Sequence, residues 1–196
     1  MTLSSVKSLI EQAKRLPGLT HRQAEKLVYS LLADKEILDI IDEFSESAKK
    51  LKRCEQCGWF VDTASSSCEN CTVATDVICV VPTFSDMLTI QRTGAFNGSY
   101  HILGGLVSPL ENILPENLLI EPLVTRTQNG ITQELILAFP DSVEAEATLH
   151  YIVDAVGASG VTISRFSRGI PSSSKIEYMD KRTVSLAFSE RKPIQH

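Results

Sequence analysis

The sequence lacks any long hydrophobic run, although 43% of its 196 residues are hydrophobic. No apolar stretch approaches the roughly 20 residues that a membrane-spanning helix needs. The first 15 residues carry Lys7, Glu11, Lys14 and Arg15, so they contain no uninterrupted apolar region of the kind found in secretory signal peptides. We therefore expect a cytoplasmic protein that has no membrane partner.

The common signatures of nucleotide hydrolysis and nucleophilic catalysis are also missing. There is no G-x-x-x-x-G-K-[ST] phosphate loop, and neither His21 nor His101 has an evident nucleophile partner. Four carboxylates lie near predicted strand ends, where they could hold Mg²⁺ for phosphoryl transfer: Asp86, Asp141, Glu144 and Glu146. However, Glu144 and Glu146 open a predicted helix, where negative charge is favourable without any ion. We expect a protein that is not an enzyme.

An overall excess of positive charge is absent as well, since the net charge is −5. Residues 1–53 carry 10 Lys or Arg against 8 Asp or Glu, residues 54–160 carry 2 against 13, and residues 161–196 carry 7 against 3. An acidic middle between two mildly basic ends is typical of a protein that meets a polyanion with selected surfaces. Charged faces without any partner would give the same distribution.

Four of the five cysteines form two C-x-x-C pairs, Cys54 with Cys57 and Cys68 with Cys71. Each pair can place two thiolates on one turn, and two pairs complete a tetrahedral Zn²⁺ site without an open position. The short segment between them could not fold on apolar burial alone, so metal binding would supply its folding free energy. A cytoplasmic chain disfavours disulfides, and two C-x-x-C pairs disfavour a redox site. We predict one structural zinc ion, and we interpret Cys79 as a small buried hydrophobe.

Apolar side chains in the first 53 residues recur at helical spacing in three stripes, which predict three short helices packed together through buried faces. Between the first two stripes, residues 16–20 (L-P-G-L-T) form a tight break, in which Thr20 and Gln23 have the spacing of a capping box. This break is a candidate helix-hairpin-helix motif, which grips the DNA backbone through amide groups and nearby cations. Any helical hairpin needs such a turn, so the spacing alone leaves a purely structural role open.

After Cys71 the pattern changes to alternating strands and helices. It predicts strands at 77–81, 100–103, 134–139 and 161–166, and helices at 85–92, 118–127 and 144–156. This order favours βαβ crossovers around a mostly parallel sheet, and hence an α+β chain in several parts. Residues 168–180 are interpreted as a loop or arm, and residues 183–192 can form a closing helix.

Several phrases of the sequence, in their order along the chain, resemble the RecR family of recombination mediators. Among them are I-C-V-V at 78–81, Y-H-I-L-G-G at 100–105, V-E-A-E-A-T at 143–148 and R-G-I-P at 168–171. The resemblance covers roughly residues 10–191. It implies a helix-hairpin-helix region at 1–53, a four-cysteine zinc element at 54–76, an α/β Toprim domain at 77–167, and a C-terminal arm and helix at 168–196.

The same resemblance implies a function. RecR proteins form ring-like homotetramers that admit duplex DNA, partner RecO and RecF, and help to load RecA onto gapped or single-stranded DNA without catalytic turnover. We accordingly expect a homo-oligomer, a tetramer or else a dimer, that binds the DNA backbone independently of sequence. The DNA contacts implied by similarity are Arg15, Gly18, Arg22 and Lys26. The acidic residues of the Toprim surface that would dock partners are Asp86, Glu144 and Glu146.

The chain departs from the family pattern at positions that bear on function. Thr20 replaces the second glycine of the usual hairpin, and Pro82 replaces the glutamate that usually follows the first Toprim strand. The first change weakens the expected grip on DNA, and the second removes an expected acid/base group. The loss of this group argues against strand cleavage, but two alternatives to a mediator stay open. One is a divergent scaffold that binds DNA weakly, and the other is a Toprim-type Mg²⁺-dependent nuclease or phosphotransferase.

Overall fold

The computed structural model describes residues 2–73, 75–157 and 159–166, together with Thr183. The chain divides into two compact units, one of residues 1–52 with 62–64, and the other of residues 53–61 with those from 65 onward. The predicted arm at 168–180 and closing helix at 183–192 lie outside the described residues, except for Thr183. Within the described ranges, no helix is long and apolar enough to cross a membrane. The four-part domain division stays a prediction.

The first unit contains three helices, α1 (Thr2–Ala13), α2 (His21–Ala33) and α3 (Lys35–Lys49). The first two pack through apolar side chains that recur at helical spacing, as the sequence predicts. The buried members of this core are Ile10, Ala13, Ala24 and Val28. Three helices are therefore present where the sequence places them.

The third helix does not bury its apolar stripe. No residue of α3 is buried, and the side chains of Ile40 and Phe44 are 57% and 73% exposed. The prediction of a third buried face is therefore wrong within the single chain. An amphipathic helix whose apolar stripe faces water is typical of a surface that meets another protein.

The two C-x-x-C pairs lie on short elements that precede the main sheet. Strands β1 (Leu51–Arg53) and β2 (Phe60–Asp62) flank the first pair and form a two-stranded sheet. Cys68 is the N-cap of the one-turn helix α4 (Glu69–Thr72), which contains Cys71. Most of this cysteine element belongs to the same compact unit as the main sheet.

The main sheet has four parallel strands in the order β4-β3-β5-β6. Its strands are β3 (Val77–Val81), β4 (Ser99–Ile102), β5 (Glu134–Leu137) and β6 (Thr162–Arg165). The helices that alternate with them are α5 (Phe84–Thr93), α6 (Ile120–Thr127) and α7 (Val143–Val156). The near-continuous apolar runs of β3 and β5 are those of parallel strands covered on both faces. The predicted alternation of strands and helices is confirmed.

Buried apolar clusters surround the central strand β3. One cluster joins Val80 and Leu135 of the sheet to Leu123 of α6 and Ile152 of α7. A second cluster contains Cys79, which is 1% exposed and is the small buried hydrophobe that the sequence predicts. These clusters fix the strand ends, where the candidate sites lie.

Candidate functional site

The four cysteines of the two C-x-x-C pairs come together at one point. Their Sγ atoms all lie within 4.8 Å of one another, with 3.7 Å between Cys54 and Cys71 and 3.5 Å between Cys57 and Cys68. Four thiolates at about 2.3 Å from a tetrahedral zinc ion stand about 3.8 Å apart, so the donor set fits such an ion. Among the described residues this is the one group of three or more potential metal ligands at such distances. The cysteines can therefore hold a metal ion.

Backbone hydrogen bonds fold the first cysteine pair into a tight turn. The amide of Cys54 donates to the carbonyl of Trp59 at 2.7 Å, and the amide of Gly58 donates to the carbonyl of Cys54 at 2.9 Å. Gly58 has φ +74°, and a Cβ at this position would overlap the carbonyl oxygen of Ile102. Glycine is therefore required here both by backbone conformation and by close approach.

Burial controls the protonation of the metal-free thiols. It raises the pKa of the Cys57 thiol to about 11, and it raises the pKa of Cys71 as well. Burial also acts to raise the pKa of Cys54, but hydrogen bonds from the backbone amides of Gln56 and Cys57 and from the thiols of Cys57 and Cys71 together lower it. Metal ions bind thiolates, so occupation of this site releases protons.

The hairpin between α1 and α2 has the capping box that its sequence predicts. Gly18 has φ +81°, a conformation that favours glycine. The amide of Gln23 donates to Thr20 Oγ1 at 3.4 Å, and the amide of Thr20 donates to Gln23 Oε1 at 2.8 Å. Thr20, which replaces the second glycine of the usual hairpin, thus stabilises the start of α2.

The three cations predicted to contact DNA are all exposed. Arg22 and Lys26 line one shallow groove of about 520 Å³ on α2, together with Glu25 and Tyr29. Arg15 lies in the turn after α1 and is not part of this groove. Tyr29 was not singled out from the sequence, although its position three residues after Lys26 places it on the same helix face. The structure thus brings two of the three cations together.

A cleft of about 620 Å³ opens at the carboxyl ends of β3 and β5. Its lining is mostly apolar, with carboxylates of Asp86, Glu111 and Glu144. Parallel α/β sheets bind their ligands at this end of the strands. The predicted residue Glu146 does not line the cleft, and its carboxylate lies 3.1 Å from the guanidinium of Arg165. Two of the three predicted acidic residues therefore share one site.

Local hydrogen bonds hold both of these carboxylates. Asp86 Oδ2 accepts from the amide of Thr83 at 3.0 Å and from its hydroxyl at 2.6 Å, which caps α5. Glu144 stands in the first turn of α7, where hydrogen bonds from its own amide and from Ser142 hold its pKa below the usual value. Pro82 is buried directly after β3, where a Toprim glutamate was expected. The cleft therefore combines an apolar lining with a fixed acidic rim.

A buried polar network beside β4 was not foreseen from the sequence. Arg126 donates to the carbonyl of Tyr100 at 2.9 Å and lies 3.3 Å from His101 Nδ1, while His101 Nε2 lies 2.7 Å from the carbonyl oxygen of Leu119. Burial, and next the charge of Arg126, lower the pKa of His101 to about 3, so the ring is neutral. No motif signals this network, because residues 101 and 126 meet only through the fold.

The sheet, the cleft and the cysteine cluster together define a Toprim-type protein with four cysteines that can hold a metal ion. The Toprim domain family matches residues 76–167. The chain is 35% identical over 192 residues to Recombination protein RecR of Neorickettsia sennetsu, which covers 96% of this chain and 98% of that protein. It is 36% identical over 202 residues to Recombination protein RecR of Agrobacterium fabrum, which covers 99% and 98%. The chain belongs to the RecR family, and the resemblance noted in its sequence is confirmed.

Proposed function

We propose that this protein is a DNA-binding recombination mediator in DNA repair, which acts in the cytoplasm as an oligomeric ring or clamp without catalytic turnover. With RecO and RecF as partners, it helps to load RecA onto gapped or single-stranded DNA. Its relatives are named as recombination proteins, which supports the general role. The observation that carries the DNA-binding part is the exposed pair of Arg22 and Lys26 next to the hairpin.

This pair of cations is available to phosphate. Arg22 and Lys26 stand one turn apart on α2, and neither forms an ion pair with another described residue. The turn at Gly18 precedes them, so backbone amides at the start of α2 lie near the same surface. Such contacts position a protein on DNA without reading its sequence. The surface is suited to backbone binding, with Arg15 and Gly18 as flanking contacts.

We propose that the metal held by Cys54, Cys57, Cys68 and Cys71 is one structural Zn²⁺. Four thiolate ligands leave no open position for a substrate or for water. The ion would cross-link the two halves of an element whose own apolar core is small. Metal analysis of the purified chain should give one zinc per chain.

Two surfaces support the proposed assembly and partners. The exposed apolar stripe of α3, with Ile40 and Phe44, fits a subunit interface and supports a homotetramer or a dimer. The acidic rim of the Toprim cleft, with Asp86 and Glu144, fits a basic surface of a partner such as RecO or RecF. Glu146 lies on the same helix as Glu144 and belongs to this proposed surface.

A divergent scaffold that binds DNA weakly is the second candidate. Thr20 stands where the usual hairpin has a second glycine, which lets a phosphate approach the backbone closely. Here Thr20 forms a capping box with Gln23 instead. A Toprim-type nuclease has less support, because Asp86 caps a helix and Pro82 replaces the expected glutamate. Mg²⁺-dependent cleavage that disappears in Glu144→Gln would be needed to revive it.

The affinity for DNA separates the mediator from the scaffold. Fluorescence anisotropy with a labelled duplex and a labelled single strand should show Arg22→Ala and Lys26→Ala each binding about tenfold more weakly, because each loses a charge-assisted phosphate contact. Lys35→Ala is the matched control, since Lys35 begins α3 beyond the far end of α2, which lies about 16 Å along that helix from Arg22 and about 10 Å from Lys26. Equal affinities for all four proteins would favour the scaffold.

A further inference from the structure

Tyr29 places an aromatic ring in the groove on α2. It follows Lys26 by three residues and Arg22 by seven, and both separations return a helix to nearly the same face. Along the helix axis, Tyr29 stands about 4.5 Å from Lys26 and about 10 Å from Arg22. Tyr29 is 56% exposed. The ring therefore lies on the same surface as both cations and is open to a ligand.

The lining of this groove fits a nucleic acid better than a second protein. The residues beside Tyr29 are charged, polar or small: Arg22, Glu25, Lys26, Ser30 and Ala33. The core of a protein interface is depleted of charged side chains, whereas proteins that bind single strands combine cations for the phosphates with aromatic rings for the bases. The carboxylate of Glu25 lies 3.8 Å from His21 Nε2, on the turn away from Tyr29. A single strand of DNA is therefore the occupant that the groove favours.

An aromatic ring distinguishes a single strand from a duplex. In a duplex, the faces of each base are covered by the neighbouring base pairs, and the outer surface presents phosphates. Stacking of a free base on an aromatic ring tolerates any sequence, because every base has a π-face. Arg22 and Lys26 alone would hold either form of DNA through its phosphates. The ring of Tyr29 would add affinity for the single strand alone.

We propose that Tyr29 stacks on an unpaired base of single-stranded DNA whose phosphates contact Arg22 and Lys26. This inference rests on the proposed DNA binding of the same surface, and it adds a preference that phosphate contacts do not give. On gapped DNA, the groove would select the single-stranded part. Stacking needs the ring and not its hydroxyl group, so phenylalanine at this position would serve equally.

Substitutions of Tyr29 in the full chain test the stacking. Fluorescence anisotropy should show Tyr29→Leu binding a labelled single strand about tenfold more weakly than the wild type, with unchanged affinity for a duplex of the same length. Tyr29→Phe keeps the ring and should bind both like the wild type. Tyr151→Leu is the matched control, because Tyr151 is 50% exposed on α7 of the other unit. Equal losses of affinity for the two forms of DNA in Tyr29→Leu would overturn the proposal.

A single strand without bases separates stacking from phosphate contact. The wild type should bind a fully abasic strand about tenfold more weakly than a strand that carries bases, and Tyr29→Leu should not weaken binding to the abasic strand further. A loss in Tyr29→Leu that persists on the abasic strand would show that Tyr29 contacts the backbone instead of a base, and would contradict the stacking.

The same measurements separate this inference from the proposed function. If Arg22→Ala and Lys26→Ala weaken binding but Tyr29→Leu does not, the stacking fails and the phosphate contacts stand. If the wild type binds neither form of DNA, both proposals fail. A lower particle mass of Tyr29→Leu in sedimentation would show that a second copy covers the ring, and this too would overturn the stacking.

Discussion

Gly58 shows at the scale of one residue how the cysteine element fits against the sheet. Its left-handed backbone and its contact with the Ile102 carbonyl both exclude a side chain. Gly58→Ala should therefore lower the free energy of unfolding by at least about 3 kcal/mol, from backbone strain and overlap together. Denaturant unfolding of the zinc-loaded protein measures this.

Gly130 provides the matched control for that substitution. It has φ +73°, and a Cβ there would meet no atom within 4 Å. Gly130→Ala should lower the free energy of unfolding by only about 1 kcal/mol, the strain of a left-handed backbone without any overlap. If both variants lost the same free energy, the close approach of Gly58 to Ile102 would have no energetic weight.

His101 makes stability depend on pH. The folded ring stays neutral because its pKa lies at about 3, whereas in the unfolded chain it binds a proton below about pH 6.5. The unfolded state thus holds more protons, and stability falls as pH falls from 6.5 toward 3. When the pH is lowered from 6.5 to 4.5, the free energy of unfolding of the wild type should fall by about 2 kcal/mol more than that of His101→Gln. Denaturant unfolding at each pH measures this difference.

The control for this pH dependence is His150→Gln, because His150 is exposed on α7. The stability of the His150→Gln variant should change with pH as the stability of the wild type does. A His101→Gln variant with the wild-type pH profile would show that the buried ring does not govern acid stability.

At the scale of elements, the sequence predicts what repeats locally and misses what forms at a distance. The strands β3 and β5 could be predicted because each is a short apolar run, and α2 because Thr20 and Gln23 mark its start. The bonds of Asn70 to Tyr100 join residues 30 positions apart and leave no periodic signal. The cysteine cluster could be predicted because the spacing of two C-x-x-C pairs is the one that brings four thiolates around a single ion. The exposure of α3 could not be predicted, since an apolar stripe indicates burial but does not show whether the same chain or another one covers it.

Helix α3 carries the prediction on assembly. Phe44 is 73% exposed in the single chain, so Phe44→Glu should hardly change folding but should dissociate the proposed oligomer at least about tenfold more readily. Analytical ultracentrifugation over a range of concentrations measures this. Leu110→Glu is the control, because Leu110 is 98% exposed in the other unit. Equal dissociation of Phe44→Glu and the wild type would place the interface elsewhere.

At the scale of the whole molecule, the distribution of charge fits a protein that holds DNA with a limited surface. The net charge is −5, and the acidic residues concentrate between positions 54 and 160. The exposed cations of α2 lie outside that acidic region. Repulsion between DNA and the acidic part would restrict contact to the basic surface. Binding should weaken steeply with added salt, because phosphate contacts release counterions.

The central claim is that zinc-loaded chains assemble into a ring or clamp that encloses DNA. Its most direct test is the mass of the zinc-loaded full chain in solution, measured by sedimentation velocity with and without a DNA duplex. The account predicts a tetramer, or else a dimer, that takes up duplex as one particle of higher mass. A monomer whose sedimentation is unchanged by DNA would contradict it.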